Sequence, residues 1–103
     1  MRVLSISSSR ADVGILEPVW RALESRAEVR LHLLLTGMHM AEDAAMVVPA
    51  GAALHRAGAD LGGGGPDQAA AAMAAIAAAA SGVYTAVAPD VVVVVGDRLD
   101  MIP

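Results

Sequence analysis

Three apolar runs, each followed by a polar turn, constrain the fold of this 103-residue chain more than any other feature. They are RVLSIS at 2–7, VRLHLLLT at 29–36 and VVVVV at 91–95. The last two are almost continuously apolar, which is typical of parallel strands covered on both faces. Segments with helical patterns lie between the runs. This alternation predicts an α/β fold, a Rossmann-like parallel sheet with helices on both faces.

The first helical segment follows the turn SSSRAD at 7–12. Asp12 is the candidate N-cap residue of this helix. Because Pro18 cannot donate a backbone hydrogen bond inside a helix, the helix is expected to start near Glu17 or to kink there. From Gly14 onward the apolar residues recur with the spacing of one helical face, and they are Ile15, Leu16, Val19, Trp20 and Leu23.

The middle of the chain has a less regular pattern. Residues 42–57 are predicted to form a helix interrupted by Pro49 and Gly51, and residues 59–61 a very short strand. The GGGG run at 62–65 is not followed by GK[ST]. It therefore predicts a flexible turn rather than a phosphate-binding loop.

A second helix is predicted from Pro66, which suits the first turn of a helix. Asp67 favours the positive N-terminal end, and Gly82 is expected to end or bend the helix. The alanine-rich run at 69–80 has strong helix propensity but is too short to span a membrane.

The composition excludes several classes of function. All seven basic residues are arginines, eleven residues are acidic, and the net charge is -4, which argues against general nucleic-acid binding. The absence of cysteine excludes disulfides and thiolate metal sites and makes a reducing compartment the default. The N-terminal apolar run is too short for a signal peptide. We therefore expect a cytoplasmic protein without nucleic-acid or membrane partners, metal or cofactor.

The predicted site lies where the first and last strands end. In a Rossmann-like strand order the last strand lies beside the first, and ligands bind at the carboxyl edge where the order reverses. This arrangement would place residues 96–98 beside Ser9, Arg10 and Asp12. Arg10 with the helix N-terminus would make an anion site. The alternative is a capped turn that carries a surface arginine.

The stretch GDRLD at 96–100 follows the valine strand. Gly96 permits an unusual backbone angle, and Asp97 at the mouth of the crevice could act as a general acid or base if burial raised its pKa. The alternative is a solvated turn in which Arg98 pairs with Asp97 or Asp100. The two acids also suggest Mg²⁺, but the sequence offers no third ligand.

Three histidines complete the candidates. His39, in the loop TGMHM after the second strand, is either a surface residue or a proton-handling group at the carboxyl edge. His32 lies within the second strand and is interpreted as structural. His55 is assigned no role.

Three stretches, taken together, resemble the UDP-N-acetylglucosamine 2-epimerases. They are SSSRADVGILEPVWRAL, LLLTGMHM and PDVVVVVGDRLDM, which occur in this order at 7–23, 33–40 and 89–101. The SRAD stretch and Arg98 are most similar to the hydrolysing branch, which serves sialic-acid-type sugar synthesis. The stretch 42–65 departs from the family pattern.

The resemblance implies a fold of the glycosyltransferase-B type, with two Rossmann-like domains and the sugar nucleotide between them. Residues 1–103 would be the N-terminal part of the first domain, and the chain is expected to be truncated and inactive alone. The implied reaction converts UDP-N-acetylglucosamine, or a related nucleotide sugar, to N-acetylmannosamine and UDP. A homo-oligomer is expected for the full-length enzyme. The alternative is a non-catalytic nucleotide-sugar-binding half-domain.

The resemblance also implies roles for individual residues. Asp97 would be a catalytic carboxylate, and Arg10 would contact the nucleotide phosphates or the sugar. His39 and Asp12 would line the substrate site. Arg98 and Asp100 would support it.

Overall fold

A computed structural model describes residues 1–37, 39, 49, 51–59 and 65–96. Four strands and two helices lie within these ranges. In chain order they are β1 (Arg2–Ser7), α1 (Arg10–Glu24), β2 (Arg30–Leu35), β3 (Ala53–Arg56), α2 (Pro66–Val87) and β4 (Val91–Val93).

The strands form one parallel sheet in the order β3-β2-β1-β4. Val3 pairs with Val91 and Ser5 pairs with Val93, so the last strand lies beside the first, as predicted. The chain moves outward from β1 through β2 to β3 and then returns to the other side of β1. The strand order therefore reverses between β1 and β4, and the carboxyl ends of these two strands flank the crevice.

The two helices cover opposite faces of the sheet. Successive side chains of a strand point to opposite sides, so the same strands contribute to a buried cluster on each face. The buried cluster on the α1 side consists of Val3, Leu16, Trp20, Leu31 and Leu33. The buried cluster on the α2 side consists of Leu4, Ile6, Leu34, Ala80, Val83 and Val87. The prediction of a Rossmann-like sheet with helices on both faces is confirmed.

Helix α1 begins earlier than predicted. Its N-cap is Ser9 rather than Asp12, and its first residue is Arg10 rather than one near Glu17. The helix continues through Pro18, which lies on the exposed side. On the buried side, the Trp20 indole N–H donates to Ser5 Oγ at 2.8 Å, so the one tryptophan is fixed to β1 by a directional bond as well as by packing.

The middle of the chain differs from the prediction. Residues 53–56, expected at the end of a helix, form the strand β3 instead. Leu33 pairs with Leu54, so a short segment with little apolar character joins the sheet through backbone bonds to β2. Ala59 is not part of a strand, and residues 60–61 lie outside the described residues, as do 42–48.

Helix α2 starts at Pro66 as predicted but does not end at Gly82. It continues to Val87 and closes at Ala88, whose backbone is left-handed with φ 49°. With 22 residues it extends beyond the alanine run at 69–80 and is long and apolar enough to cross a membrane by length and composition. One such helix is weak evidence for a membrane span, since a core helix passes the same test. Strand β4 is also shorter than predicted and ends at Val93.

Candidate functional site

The turn between β1 and α1 is built from buried polar side chains. Ser7, Ser8 and Ser9 are all buried. Ser9 has an extended backbone, and its Oγ accepts the backbone N–H of Asp12 at 3.4 Å. This bond satisfies one of the amides that a helix leaves unpaired at its N-terminus. The polar sequence of the turn therefore serves first to start the helix.

Asp12 stabilises the same turn. One oxygen of its carboxylate, Oδ2, accepts the backbone N–H and the hydroxyl of Ser8, each at 2.9 Å. Only 4% of the Asp12 surface is exposed. A carboxylate in the first turn also lies at the positive end of the helix dipole. The structure thus gives Asp12 a capping function, and its predicted contact with substrate stays a prediction.

Arg10 is the first residue of α1 and is exposed. It follows the buried serines directly, at the carboxyl edge of β1. Helix N-terminal amides and a guanidinium both favour an anion such as a phosphate. The structure shows the capped turn with an exposed arginine, and the binding of an anion by Arg10 stays a prediction.

His39 lies against this turn rather than on the surface. Only 1% of it is exposed, and its ring Nε2 is 2.8 Å from the hydroxyl oxygen of Ser7. Its backbone N–H donates to the Thr36 carbonyl at 3.1 Å, and its own carbonyl accepts the Arg56 guanidinium. The alternative of a surface histidine was wrong. The loops after β1 and β2 meet through a buried contact.

The candidates after β4 are described only at their first residue. Gly96 has a positive φ of 77°, so the prediction of an unusual backbone angle is confirmed. Asp97, Arg98 and Asp100 lie outside the described residues, and so does the pair of acids considered for Mg²⁺. Their roles stay predictions.

Sequence reasoning missed three residues near the site. Ser7 was treated only as part of a polar turn, and Arg56 was hidden in a segment predicted to be helical. Thr36 directly follows β2, and its buried hydroxyl has no hydrogen-bond partner in the part of the chain that the structure describes. A Cβ on Gly58 would lie 2.0 Å from that hydroxyl oxygen, so Gly58 is the residue that permits this close approach.

A second group of ionisable side chains lies away from this edge. The rings of His32 and His55 stack with centroids 5.5 Å apart. Burial, followed by the positive charges of His55, Arg2 and Arg30, lowers the pKa of His32 below its ordinary value of 6.5. A cavity of about 410 Å³ opens beside His32, near the start of β2. It lies at the amino end of the strands and not at the predicted site.

The UDP-N-acetylglucosamine 2-epimerase family matches residues 21–103. A curated UDP-N-acetylglucosamine 2-epimerase of Neisseria meningitidis serogroup B (strain ATCC BAA-335 / MC58) is 46% identical over 39 residues. The aligned segment is 38% of this chain and 10% of that protein, so it spans a small part of the relative's length. The family match begins after the turn at 7–12.

Proposed function

Because this chain belongs to the UDP-N-acetylglucosamine 2-epimerase family, we propose that it serves the hydrolysing reaction on UDP-N-acetylglucosamine. The observation that carries the proposal is the placement of Arg10. This arginine is exposed at the N-terminus of α1, beside the point where the strand order reverses between β1 and β4. That is where an open α/β sheet binds a ligand, and the ligand proposed here carries a diphosphate. The SRAD stretch at 9–12 and Arg98 support the hydrolysing branch by resemblance.

The proposed reaction has two stages. A base removes the proton at C2 of the sugar while the C1–O bond to UDP breaks, which gives a 2-acetamidoglucal and UDP. Water then adds across the new double bond, its oxygen to C1 and a proton to C2 from the opposite face, to give N-acetylmannosamine. A C2–H is a weak acid and a diphosphate leaves as an anion, so a positioned carboxylate and a cation are the groups that this elimination needs.

The proposed site residues divide between proton transfer and binding of the diphosphate. Asp97 is proposed as the carboxylate that handles the proton, and Arg10 as the cation that binds the departing diphosphate. His39 and Asp12 are proposed to line the substrate site, and Arg98 and Asp100 to support it. A bidentate guanidinium suits a diphosphate better than a point charge does.

The setting of the reaction is also a proposal. Residues 1–103 would form the N-terminal part of the first of two Rossmann-like domains, with the sugar nucleotide between them. The enzyme would act in the cytoplasm as a homo-oligomer. It would use no cofactor, since proton transfer and elimination require only groups that side chains supply.

Product analysis of the full-length protein that contains these residues tests the proposal. Incubation with UDP-N-acetylglucosamine is expected to release UDP and free N-acetylmannosamine. UDP-N-acetylmannosamine without free UDP would assign the chain to the non-hydrolysing reaction. Saturable binding without any product would instead support a nucleotide-sugar-binding module.

Two substitutions test the division of tasks. Asp97→Asn keeps the shape but removes the proton-accepting charge, so kcat should fall by about 10²- to 10⁴-fold. Arg10→Ala should raise KM because it removes a contact with the diphosphate. The matched control is Arg21→Ala, since Arg21 lies on the same helix, is exposed and forms an ion pair with Glu17 one turn away. Parental kinetics for Arg10→Ala would contradict the assignment of the anion site.

A further inference from the structure

We propose that Ser7 is a positioning residue that keeps a proton on Nε2 of His39 and leaves Nδ1 as the basic nitrogen of the ring. The effect on turnover rests on the proposed function, whereas the protonation pattern does not. Both side chains are buried, with 0% of Ser7 and 1% of His39 exposed. Water therefore does not compete for their contacts.

The argument starts from the number of protons. The hydroxyl oxygen of Ser7 lies 2.8 Å from His39 Nε2 and 3.2 Å from the carbonyl oxygen of Ser9. A serine hydroxyl has one proton to donate, and a carbonyl can only accept. If Ser7 donates to Ser9, the ring must donate to Ser7, and both contacts are hydrogen bonds. If Ser7 donates to the ring, the contact with Ser9 has no proton.

One observation favours the competing arrangement, in which Ser7 donates to the ring. The Ser9 carbonyl also accepts the backbone N–H groups of Asp12 at 3.1 Å and Val13 at 3.3 Å. A carbonyl oxygen that already accepts two amide N–H groups is stabilised less by a third hydrogen bond than a carbonyl oxygen with no donor would be. The two arrangements place the ring proton on different nitrogens, so direct observation of the ring decides between them.

The backbone of His39 is held on both sides. Its N–H donates to the Thr36 carbonyl, and its carbonyl accepts the Arg56 guanidinium. These bonds fix the residue that carries the ring, and the contact with Ser7 then favours a proton on Nε2. The tautomer of a histidine follows from the hydrogen bond that its other nitrogen makes.

This arrangement has a chemical consequence. An Nε2–H that donates to Ser7 is present both in the neutral ring and in the imidazolium. Nδ1 can therefore gain or lose a proton while the contact with Ser7 stays unchanged. Ser7 acts through His39 and does not itself touch substrate. Ser7 would lower the reorganisation that proton transfer requires if His39 acts as the proton-handling group that the sequence offered beside Asp97.

Nitrogen NMR of the full chain labelled with ¹⁵N in the histidine rings tests the proton assignment. There are three histidines, and His39→Gln identifies the signal of interest. At a pH where the ring is neutral, His39 should show a protonated Nε2 and an unprotonated Nδ1. A protonated Nδ1 in the unaltered chain would overturn the proposal, and His39→Gln serves only to assign the signal.

Ser7→Ala and Ser7→Thr then test the cause. Ser7→Ala should mix the two tautomers, whereas Ser7→Thr keeps the hydroxyl and should keep the Nε2–H pattern. An unchanged pattern in Ser7→Ala would show that Ser7 does not set the tautomer. Because these spectra are recorded without substrate, they stand even if the protein proves to have no epimerase activity.

Kinetics of the full-length enzyme supply the functional readout. Ser7→Ala should lower kcat by about tenfold or more, with little change in KM and a displaced pH profile. Ser7→Thr should restore both. An unchanged pH profile and kcat for Ser7→Ala would overturn the positioning function. Loss of the expected products in the unaltered enzyme would contradict the proposed function and leave the tautomer assignment intact.

Discussion

The two helices of this chain are fixed to the same sheet by different means. Helix α1 has a serine N-cap, a buried carboxylate in its first turn and an indole bonded to β1. Helix α2 begins at Pro66, its N-cap Gly65 makes no side-chain cap bond, and its buried residues are mainly alanine and valine. Directional bonds locate α1, whereas helix propensity and general apolar packing hold α2. The proposed site lies at the N-terminus of α1, the helix whose position is fixed by directional bonds.

The largest expected difference between the helices comes from their largest buried side chains. Trp20→Ala should lower the free energy of unfolding by about 3–5 kcal/mol, since it leaves a cavity and removes the donor to Ser5 Oγ. Ile76→Ala on α2 should cost about 2–4 kcal/mol. Urea unfolding of both variants measures the two losses. A larger loss for Ile76→Ala would contradict the comparison.

The first turns of the helices offer a matched pair of acids. Asp12→Asn should lower the free energy of unfolding by about 1.5–3 kcal/mol, because a charged acceptor of two hydrogen bonds is replaced by a neutral group. Asp67→Asn changes an exposed acid in the first turn of α2 and should cost less than about 1 kcal/mol. Equal losses would show that Asp12 acts only through the helix dipole. Thermal or urea unfolding at one pH distinguishes these outcomes.

Replacing a glycine by alanine should stabilise both helices by similar amounts, because the change acts through helix propensity alone. A Cβ added to Gly14 in α1 or to Gly82 in α2 would meet no atom within 4 Å. Gly→Ala at either position should therefore stabilise the chain by about 0.5–1 kcal/mol. Gly58→Ala is the contrasting control. It must adopt a φ of +113° and would crowd Thr36 Oγ1, so it should destabilise.

The smallest expected effect is a loss of stability at acidic pH, and it comes from His32 on the α2 side of the sheet. The pKa of His32 is lowered in the folded chain by burial and by the nearby cations His55, Arg2 and Arg30. The unfolded chain therefore binds a proton near pH 6.5 that the folded chain does not. This difference in proton binding has no effect at higher pH, and the free energy of unfolding falls as the pH drops through 6.5.

His32→Gln should reduce this acid sensitivity. The test compares urea midpoints of both chains at about pH 7.5 and about pH 5.5. A midpoint difference that is the same in both chains would show that His32 does not contribute.

Local patterns in the sequence predicted three of the four strands and both helices. The runs at 2–7 and 91–95 and the helical spacing through Trp20 are properties of neighbouring residues, and they predict strands and a helix directly. The start of α1 was misplaced because Ser9 and Asp12 are both good capping residues. Only the backbone shows that Ser9 is extended and that Asp12 is already helical.

The errors fall where tertiary contacts decide the structure. Strand β3 consists of ALHR, which has no apolar run, and it exists through pairing with β2. The buried His39 contacts Ser7, which is far from it in sequence, and Arg56 reaches the same loop from β3. The sequence predicted that His39 lies at the carboxyl edge, but it could not predict the contact that holds it there.

Incorporation of deuterium at C2 tests the central claim most directly. The full-length protein is incubated with UDP-N-acetylglucosamine in D₂O, and proton NMR follows UDP and the released sugar. The account predicts free UDP together with N-acetylmannosamine that carries deuterium at C2, since the C2 proton is removed and replaced from solvent. N-acetylmannosamine that retains protium at C2, or no release of UDP, would contradict it.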